Sequence, residues 1–589
     1  MRDSTRLRHA TAALRTKLED DLFELRVLRE AGIIGGMRPD RAVRAGATFV
    51  RWGASPATGA TNAAIHHPHE PALIDERGAL TFDQVHRRTN ALARSLARIG
   101  IAQGDGVGVM CRNHRGFVEA TLAAAKLGAS VLYLNTSFAG PQLVDVVARE
   151  RPKALVYDEE FAGLLEGVDP GVMRIVAWSE RAPGAGAGAA GPDAGAAGPD
   201  AGAGGAGSGG AAGAAGTGDA AGATGEERTL EGLIADSGDA NLKPPAEKPR
   251  FVILTSGTTG TPKGAQRSSP NGLFGLAALI DKIPFRSRET MVIAAPLFHS
   301  WGFFHFILSL PTASTIVLHR RFDPVQTLRA VQRHRAQVLV AVPVMIQRIL
   351  ALEEETLAGL DLSSLRITSL SGSALPGELA IAWMDRFGEN IYNLYGSTEV
   401  SYATVATPQD LRAAPGTAGR PPRGTVVRLY DERGHEVPRG EVGRIFAGNE
   451  MSFEGYTGGG NKEVIDGLMS TGDTGHLDDH GRLFVDGRDD EMIVSGGENV
   501  FPREVEDLLH DHVEIDDAAV VGVRDPEWGQ RLKAFVVPHA GSSLDAEEVQ
   551  AYVKANLARY KVPREVVFID ELPRNATGKV LKRELIASD

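Results

Sequence analysis

Thr255-Ser256-Gly257-Thr258-Thr259-Gly260-Thr261-Pro262-Lys263-Gly264 follows directly on the apolar run Phe251-Val252-Ile253-Leu254. The run reads as a buried strand. A strand that opens into Gly, Thr and Ser suits a phosphate cradle. Glycines let the backbone curl so that several N–H groups face one anion, hydroxyls add donors, and a lysine adds charge. The string is not the Walker pattern. Counted from Gly257, Pro262 stands where a glycine should precede the lysine, and Gly264 where Ser or Thr should follow it. The loop points to a nucleoside triphosphate held outside the P-loop class; the competing reading is a plain Gly/Thr-rich surface turn.

The 589-residue chain is too long for one simple domain. With 43% hydrophobic and 23% charged residues it has the composition of a soluble globular protein. A net charge of -12 argues against a nucleic-acid partner, because phosphate backbones want a basic face. Cys111 is the only cysteine, which excludes an internal disulfide and a cysteine zinc cluster and fits a reducing cytoplasm. No apolar run is long enough to cross a bilayer. Leu7, Leu14, Leu18, Leu22, Leu25 and Leu28 fall at helical spacing. This amphipathic helix either packs on the protein's own body or touches a membrane surface, and Glu19, Asp20, Asp21 and Glu24 favour the first. Oligomeric state is not legible.

From about Ala182 the chain is nearly all Gly and Ala, which cannot bury enough surface to fold. We expect a disordered insert over 182–228. Around it, strand and helix patterns alternate. Phe82 to Ile99 reads as a helix capped by Thr81, and strands are expected at Val107–Met110, Val131–Leu134, Met291–Ala294, Thr315–Leu318, Val338–Val342, Arg366–Leu370 and Ile391–Tyr395. The class is α/β with largely parallel sheets. The expected organisation is an N-terminal extension over 1–70 and a large domain over 71–487. A small β-barrel subdomain begins near Gly419, a hinge spans 488–490, and a small mobile α/β domain occupies 491–589.

Four further strings bear on the phosphate loop. Asn393-Leu394-Tyr395-Gly396-Ser397-Thr398-Glu399 follows a strand. Its tyrosine can stack on a purine, and Thr398 and Glu399 offer the hard oxygens that magnesium prefers; a capped helix start reads equally well. Ser470-Thr471-Gly472-Asp473 suits ribose hydroxyls or an Asx-turn. Gly487-Arg488-Asp489-Asp490 precedes Ser495-Gly496-Gly497, and Thr577-Gly578-Lys579 puts a lysine on a glycine turn near the end.

In this order the strings resemble the acyl-adenylate-forming superfamily, over about Pro71 to Leu585. The resemblance implies an acid activated by ATP to an acyl-adenylate with loss of pyrophosphate, then passed to a thiol, usually coenzyme A. It implies that Thr255, Ser256, Gly257, Thr258, Thr259, Gly260 and Lys263 grip phosphates. Tyr395, Gly396 and Gly372-Ser373-Ala374 would hold adenine. Thr398 would approach the α-phosphate, Glu399 would bind magnesium, and Asp473 with Arg488 would take the ribose. Lys579 would bridge phosphate and carboxylate during adenylation. Asp490 would be the pivot of a domain rotation that presents Ser495, Gly496 and Gly497 to the pantetheine arm. Pro296-Leu297-Phe298-His299-Ser300-Trp301-Gly302-Phe303-Phe304 resembles the segment lining the acid pocket, with His299 near the carboxylate or simply structural. No Asp or Glu occurs between Pro296 and Phe322, so an aliphatic or aryl acid suits the pocket better than an amino acid. After Gly264 the family often shows a string ending Thr-His; here Ala265-Gln266-Arg267-Ser268-Ser269 replaces it. The reading put first is a ligase for a medium- or long-chain fatty acid. Behind it stand an acyl-AMP ligase loading a carrier protein, an aryl-CoA ligase, and an inactive nucleotide-binding regulator.

Overall fold

Two eight-stranded sheets carry most of the chain. The computed structural model describes residues 2–34, 39–53, 55–180, 228–246, 249–255, 263–267, 272–451, 453, 455–457, 459, 461–488, 493–495, 498–525, 529–557, 561–575 and 578–587. The first sheet runs Thr404–Ala406, Ile391–Tyr395, Ile367–Leu370, Val338–Ala341, Thr290–Ile293, Thr315–Leu318, Pro71–Asp75, Gly78–Thr81. It is parallel except at its two edge strands. The second runs Gly455–Tyr456, Lys263–Arg267, Phe251–Thr255, Ser130–Tyr133, Gly106–Met110, Ala154–Asp158, Met173–Trp178, Arg228–Thr229. The central strands are short continuous apolar runs such as Val338-Leu339-Val340-Ala341, buried on both faces, as parallel strands covered by helices must be.

The helix Arg115–Leu127 lies between the sheets and contacts strands of both. Its small residues Ala123, Ala124 and Ala125 permit the close approach, and Gly128 ends it at φ 76°. Burial there forces its charges to find partners. Arg115 bonds Asp75 at 2.5 Å, Glu119 accepts from Arg88 at 2.5 Å, and Lys126 donates to Thr89 and Asn90 at 2.7 Å each. Thr81 caps the helix Phe82–Arg98 in a reciprocal box with Gln84, a device worth about 1 kcal/mol.

From Val426 the texture changes, as expected. Strands Val426–Tyr430, Gly443–Gly448, Leu468–Leu477 and Val464–Ile465 pair in that order, with Leu483–Arg488 on Leu468–Leu477. All pairs are antiparallel. This is the expected small β subdomain. Leu429, Ile445 and Leu483 pack beside Tyr395 of the large domain. The last unit is a smaller α/β layer, in which Gly529–Pro538 pairs with Ile515–Asp525, Ile493–Ser495 and Glu565–Phe568. It meets the large domain through Gln347, which donates to the Asp516 carbonyl at 3.4 Å, and Arg348, 3.6 Å from Glu571.

The N-terminal helix Arg2–Glu30 turns Phe23, Val27 and Leu28 inward against the helix Phe274–Lys282. The rings of Phe23 and Phe274 lie 5.8 Å apart, and Asp20 pairs with Arg423 at 2.9 Å. Of Leu18, Leu22, Leu25 and Leu28 only Leu28 is on that inner face; the side chains of Leu7 and Leu14 lie outside the described residues. Leu18, Leu22 and Leu25 point outward, because the packing face is set by Phe23 and Val27 between them. The Gly/Ala insert, apart from Arg228, lies outside the described residues.

Candidate active site

Three adjacent parallel strands, Val338–Ala341, Ile367–Leu370 and Ile391–Tyr395, end at one edge of the first sheet. Their following loops bring Val342, Gly372-Ser373-Ala374 and Gly396-Ser397-Thr398-Glu399 together. Ligands of open α/β sheets bind at such carboxyl ends. Gly396 has no alternative: a Cβ there would lie 2.3 Å from the Ser401 carbonyl oxygen.

Tyr395 closes its strand with its phenol donating to Asp473 Oδ2 at 2.6 Å and Thr471 Oγ1 at 3.1 Å. Arg488 stands 3.5 Å from the other oxygen of Asp473. Burial pushes the Asp473 carboxyl up, while Arg488, the Tyr395 phenol, Lys579 and Lys462 pull it down. The balance is upward, so the aspartate is held in a dry, cation-lined corner. Burial and the facing Asp473 together push the Tyr395 phenol well above its ordinary value. A Cβ on Gly472 would meet Lys462 Nζ at 3.2 Å and Arg488 Nη2 at 3.4 Å. The expected Asp473, Arg488 and Tyr395 are thus one constellation, and the charge of Lys579, on the C-terminal unit, acts on Asp473.

Lys579 is held at its backbone. Its N–H donates to Asn575 Oδ1 at 2.9 Å, and Arg574 donates to the Gly578 carbonyl at 2.5 Å. Its side chain is exposed. Gly578, at φ 80°, is pressed so closely on the large domain that a Cβ would lie 2.4 Å from Val344 Cγ1.

The strand Phe251–Thr255 reverses into Lys263–Arg267 with Thr255 opposite Lys263. Ser256, Gly257, Thr258, Thr259 and Gly260, between these strands in the sequence, lie outside the described residues, as do Asp490, Gly496 and Gly497. Ser495 ends the strand Ile493–Ser495, opposite Glu498. The second hairpin strand, unforeseen in the sequence, pairs in turn with Gly455–Tyr456. Tyr456 then reaches across to the other sheet's loop and donates to the buried Glu399 at 2.5 Å. Neither Tyr456 nor Lys462 was singled out from the sequence. The only signal was their place between the phosphate loop and the Thr-Gly-Asp string, in a Gly-rich stretch without a periodic pattern.

The helix Ser300–Ser309 bridges the two sheets. Trp301 Nε1 donates to the carbonyls of Ala341 and Ser369 at 3.1 and 3.3 Å. His305 bonds Ser369 Oγ at 3.1 Å. On the other side Phe303 packs on Tyr133 and Phe251, with centroids 4.8 and 5.6 Å apart. Trp301 is therefore a strut in the wall, while the half-buried Phe303, Phe304 and His299 keep open surface. His299 Nε2 is shielded from water and has no hydrogen-bond partner among the described residues. Burial lowers its pKa to about 4, so the ring is neutral. A neutral, unsatisfied imidazole nitrogen in an aromatic wall invites a polar group from a ligand.

Comparison with known proteins agrees with this layout. The AMP-binding enzyme family matches residues 60–457, and the AMP-binding enzyme C-terminal domain matches 504–579. The chain is 32% identical over 531 residues to an indoleacetate–CoA ligase of Aromatoleum aromaticum, covering 88% of this chain and 96% of that protein. It is also 32% identical over 526 residues to a feruloyl-CoA synthase of an Amycolatopsis species, with the same coverage. The o-succinylbenzoate CoA synthetase of Bacillus subtilis, solved with its acyl-adenylate intermediate, superposes with a TM-score of 0.72 at 25% identity, covering 90% of this chain and 97% of that one.

Proposed function

This chain belongs to the AMP-binding enzyme family, and on that footing we propose that it joins an aryl-bearing carboxylic acid to coenzyme A. The coarser activity is that of an ATP-dependent, AMP-forming acid–CoA ligase working through an acyl-adenylate. The finer choice reverses the order of the sequence reading, which put a fatty acid first. Relatives acting on indoleacetate and ferulate support the aryl acid. So do the half-buried Phe303 and Phe304 beside His299, aromatic side chains of the kind that pack on a ring.

The chemistry has to bring two anions together. The carboxylate attacks the α-phosphorus of ATP, and the bond to pyrophosphate breaks. Lys579, reaching the corner held by Asp473 and Arg488, supplies a mobile positive charge for this step. Tyr395 and Asp473 fix the nucleoside side, with the Gly372-Ser373-Ala374 loop beside it. His299 presents its free nitrogen to the acid. Glu399 fits a hard divalent cation: it is a buried carboxylate that, among the described residues, accepts from a phenol, with Thr398 adjoining. Magnesium held there would neutralise charge on the triphosphate.

In the second half-reaction the thiol attacks the acyl carbon and AMP leaves. The rotation of the C-terminal unit about Asp490, withdrawing Lys579 and offering Ser495, Gly496 and Gly497 to coenzyme A, is part of the proposal. The observation that carries the first half-reaction is the seating of Gly578, next to Lys579, against the large domain, where a Cβ would lie 2.4 Å from Val344 Cγ1. Isotope exchange between pyrophosphate and ATP tests it. Exchange should require an aryl acid; exchange independent of any acid, or none with the whole aryl series, would refute the reading.

A further inference from the structure

The segment before residue 60 lies outside the main family match. It carries an unusual share of exposed apolar surface. Of the twelve exposed large apolar side chains among the described residues, six fall between Leu18 and Val50. Clustering of this kind marks an interaction surface.

The two helices of the segment differ in charge. On Arg2–Glu30 the outward Leu18, Leu22 and Leu25 sit among Glu19, Asp20, Asp21 and Glu24. The second helix, Pro39–Trp52, packs along Pro56–His66, with Ala45, Thr48 and Trp52 half-buried. Its outer side carries Val43 at 72% exposure and Val50 at 84%, with Phe49 at 42%. Val43 and Val50 are two turns apart and so form one line. Arg44 and Arg51, both exposed, form a parallel line about 100° round the helix. The helix holds three arginines against one aspartate, within a chain of net charge -12. An apolar line flanked by guanidinium groups is the form of a helix that lies in a bilayer interface.

We propose that Pro39–Trp52 docks the protein on an anionic lipid surface. Val43, Phe49 and Val50 enter the acyl boundary, and Arg44 and Arg51 meet headgroup phosphates. The sign of the charge selects the partner: the basic helix is attracted to an anionic leaflet, which at the same time repels the acidic remainder of the chain and so orients it. In the sequence a membrane contact was the lesser alternative for the first helix; the proposed contact is on the second.

The test mixes the full chain with vesicles of phosphatidylcholine alone, or of phosphatidylcholine with phosphatidylglycerol, and sediments them. Binding is expected only to the phosphatidylglycerol vesicles. It should fall by roughly tenfold or more in Arg44→Glu/Arg51→Glu, and in Val43→Asp/Val50→Asp. Both variants should keep the parent's melting temperature and vesicle-free turnover. Equal binding to both vesicle types, no binding, or variants that bind like the parent would overturn the proposal. So would a parent dimer, seen by light scattering, that Val43→Asp/Val50→Asp dissolves, since that assigns the face to a second copy.

Discussion

The phenol of Tyr456 donates a 2.5 Å hydrogen bond to Glu399, across the gap between the two large sheets. Tyr456 is paired with Ala265 of the strand Lys263–Arg267, and Glu399 follows the strand that ends in Tyr395. One contact therefore ties that strand to the carboxylate proposed to hold magnesium. A hydrogen bond to a charged group is worth about 1.5–3 kcal/mol. Tyr456→Phe should shift the magnesium dependence of pyrophosphate exchange to about 10- to 100-fold higher concentration. Binding of AMP without magnesium, measured by calorimetry, should stay unchanged. An unaltered magnesium titration would remove Tyr456 from this role.

Asp473 accepts from the Tyr395 phenol, stands 3.5 Å from Arg488, and lies in the field of Lys462 and Lys579. Asp473→Ala takes away the negative charge beside Arg488 and the acceptor of the Tyr395 phenol. AMP affinity should fall by roughly tenfold or more. Lys462→Ala, which deletes a charge at the rim, should cost about threefold. Calorimetric titration with AMP separates the two; equal losses would contradict the central place given to Asp473.

Gly578 is fitted against Val344, and its φ of 80° belongs to glycine. Gly578→Val should push the loop and Lys579 away from the nucleotide corner. Both this variant and Lys579→Ala should lose adenylation on the order of 100-fold or more, yet convert supplied acyl-AMP to thioester near the parent rate. Equal damage to both half-reactions, followed by single-turnover assays, would speak against a lysine used in only one of them.

His299 and His305 are both lowered to about 4 by burial. The unfolded chain binds these protons near pH 6.5, the folded one only near 4, so between those values the unfolded state holds more protons. Stability contributed by each ring is full above pH 6.5 and is lost as pH falls through this window, by a few kcal/mol per ring. Urea melts should show a steep loss from pH 6.5 to 4. In His305→Gln, which keeps a polar contact to Ser369, the loss should be shallower, and a slope identical to the parent's would deny His305 its share.

The strands, and the strings that carry the family resemblance, were legible because they rest on local patterns. Val338–Ala341 and Ile391–Tyr395 are apolar runs between turns, and Thr81 with Gln84 spells out a capping box. What was not legible depends on distant pairing. The strand Lys263–Arg267 has no apolar pattern of its own and forms because Phe251–Thr255 folds back on it. Tyr456 gains its role from a partner 57 residues away. Trp301 looked like a pocket lining in sequence, yet two backbone carbonyls claim its indole N–H. The order of preference among acids also could not be read, since a Phe-rich segment serves a ring or an alkyl chain until its faces are placed.

The central claim is an aryl acid joined to coenzyme A with release of AMP. The most direct measurement incubates the protein with ATP, magnesium, coenzyme A and a matched series of aryl and fatty acids, and quantifies AMP and thioester for each. The account predicts AMP and aryl-CoA in equal amounts, with aryl acids turned over faster than medium- or long-chain fatty acids. Turnover confined to the fatty acids, or acyl-AMP that accumulates without thioester, would contradict it.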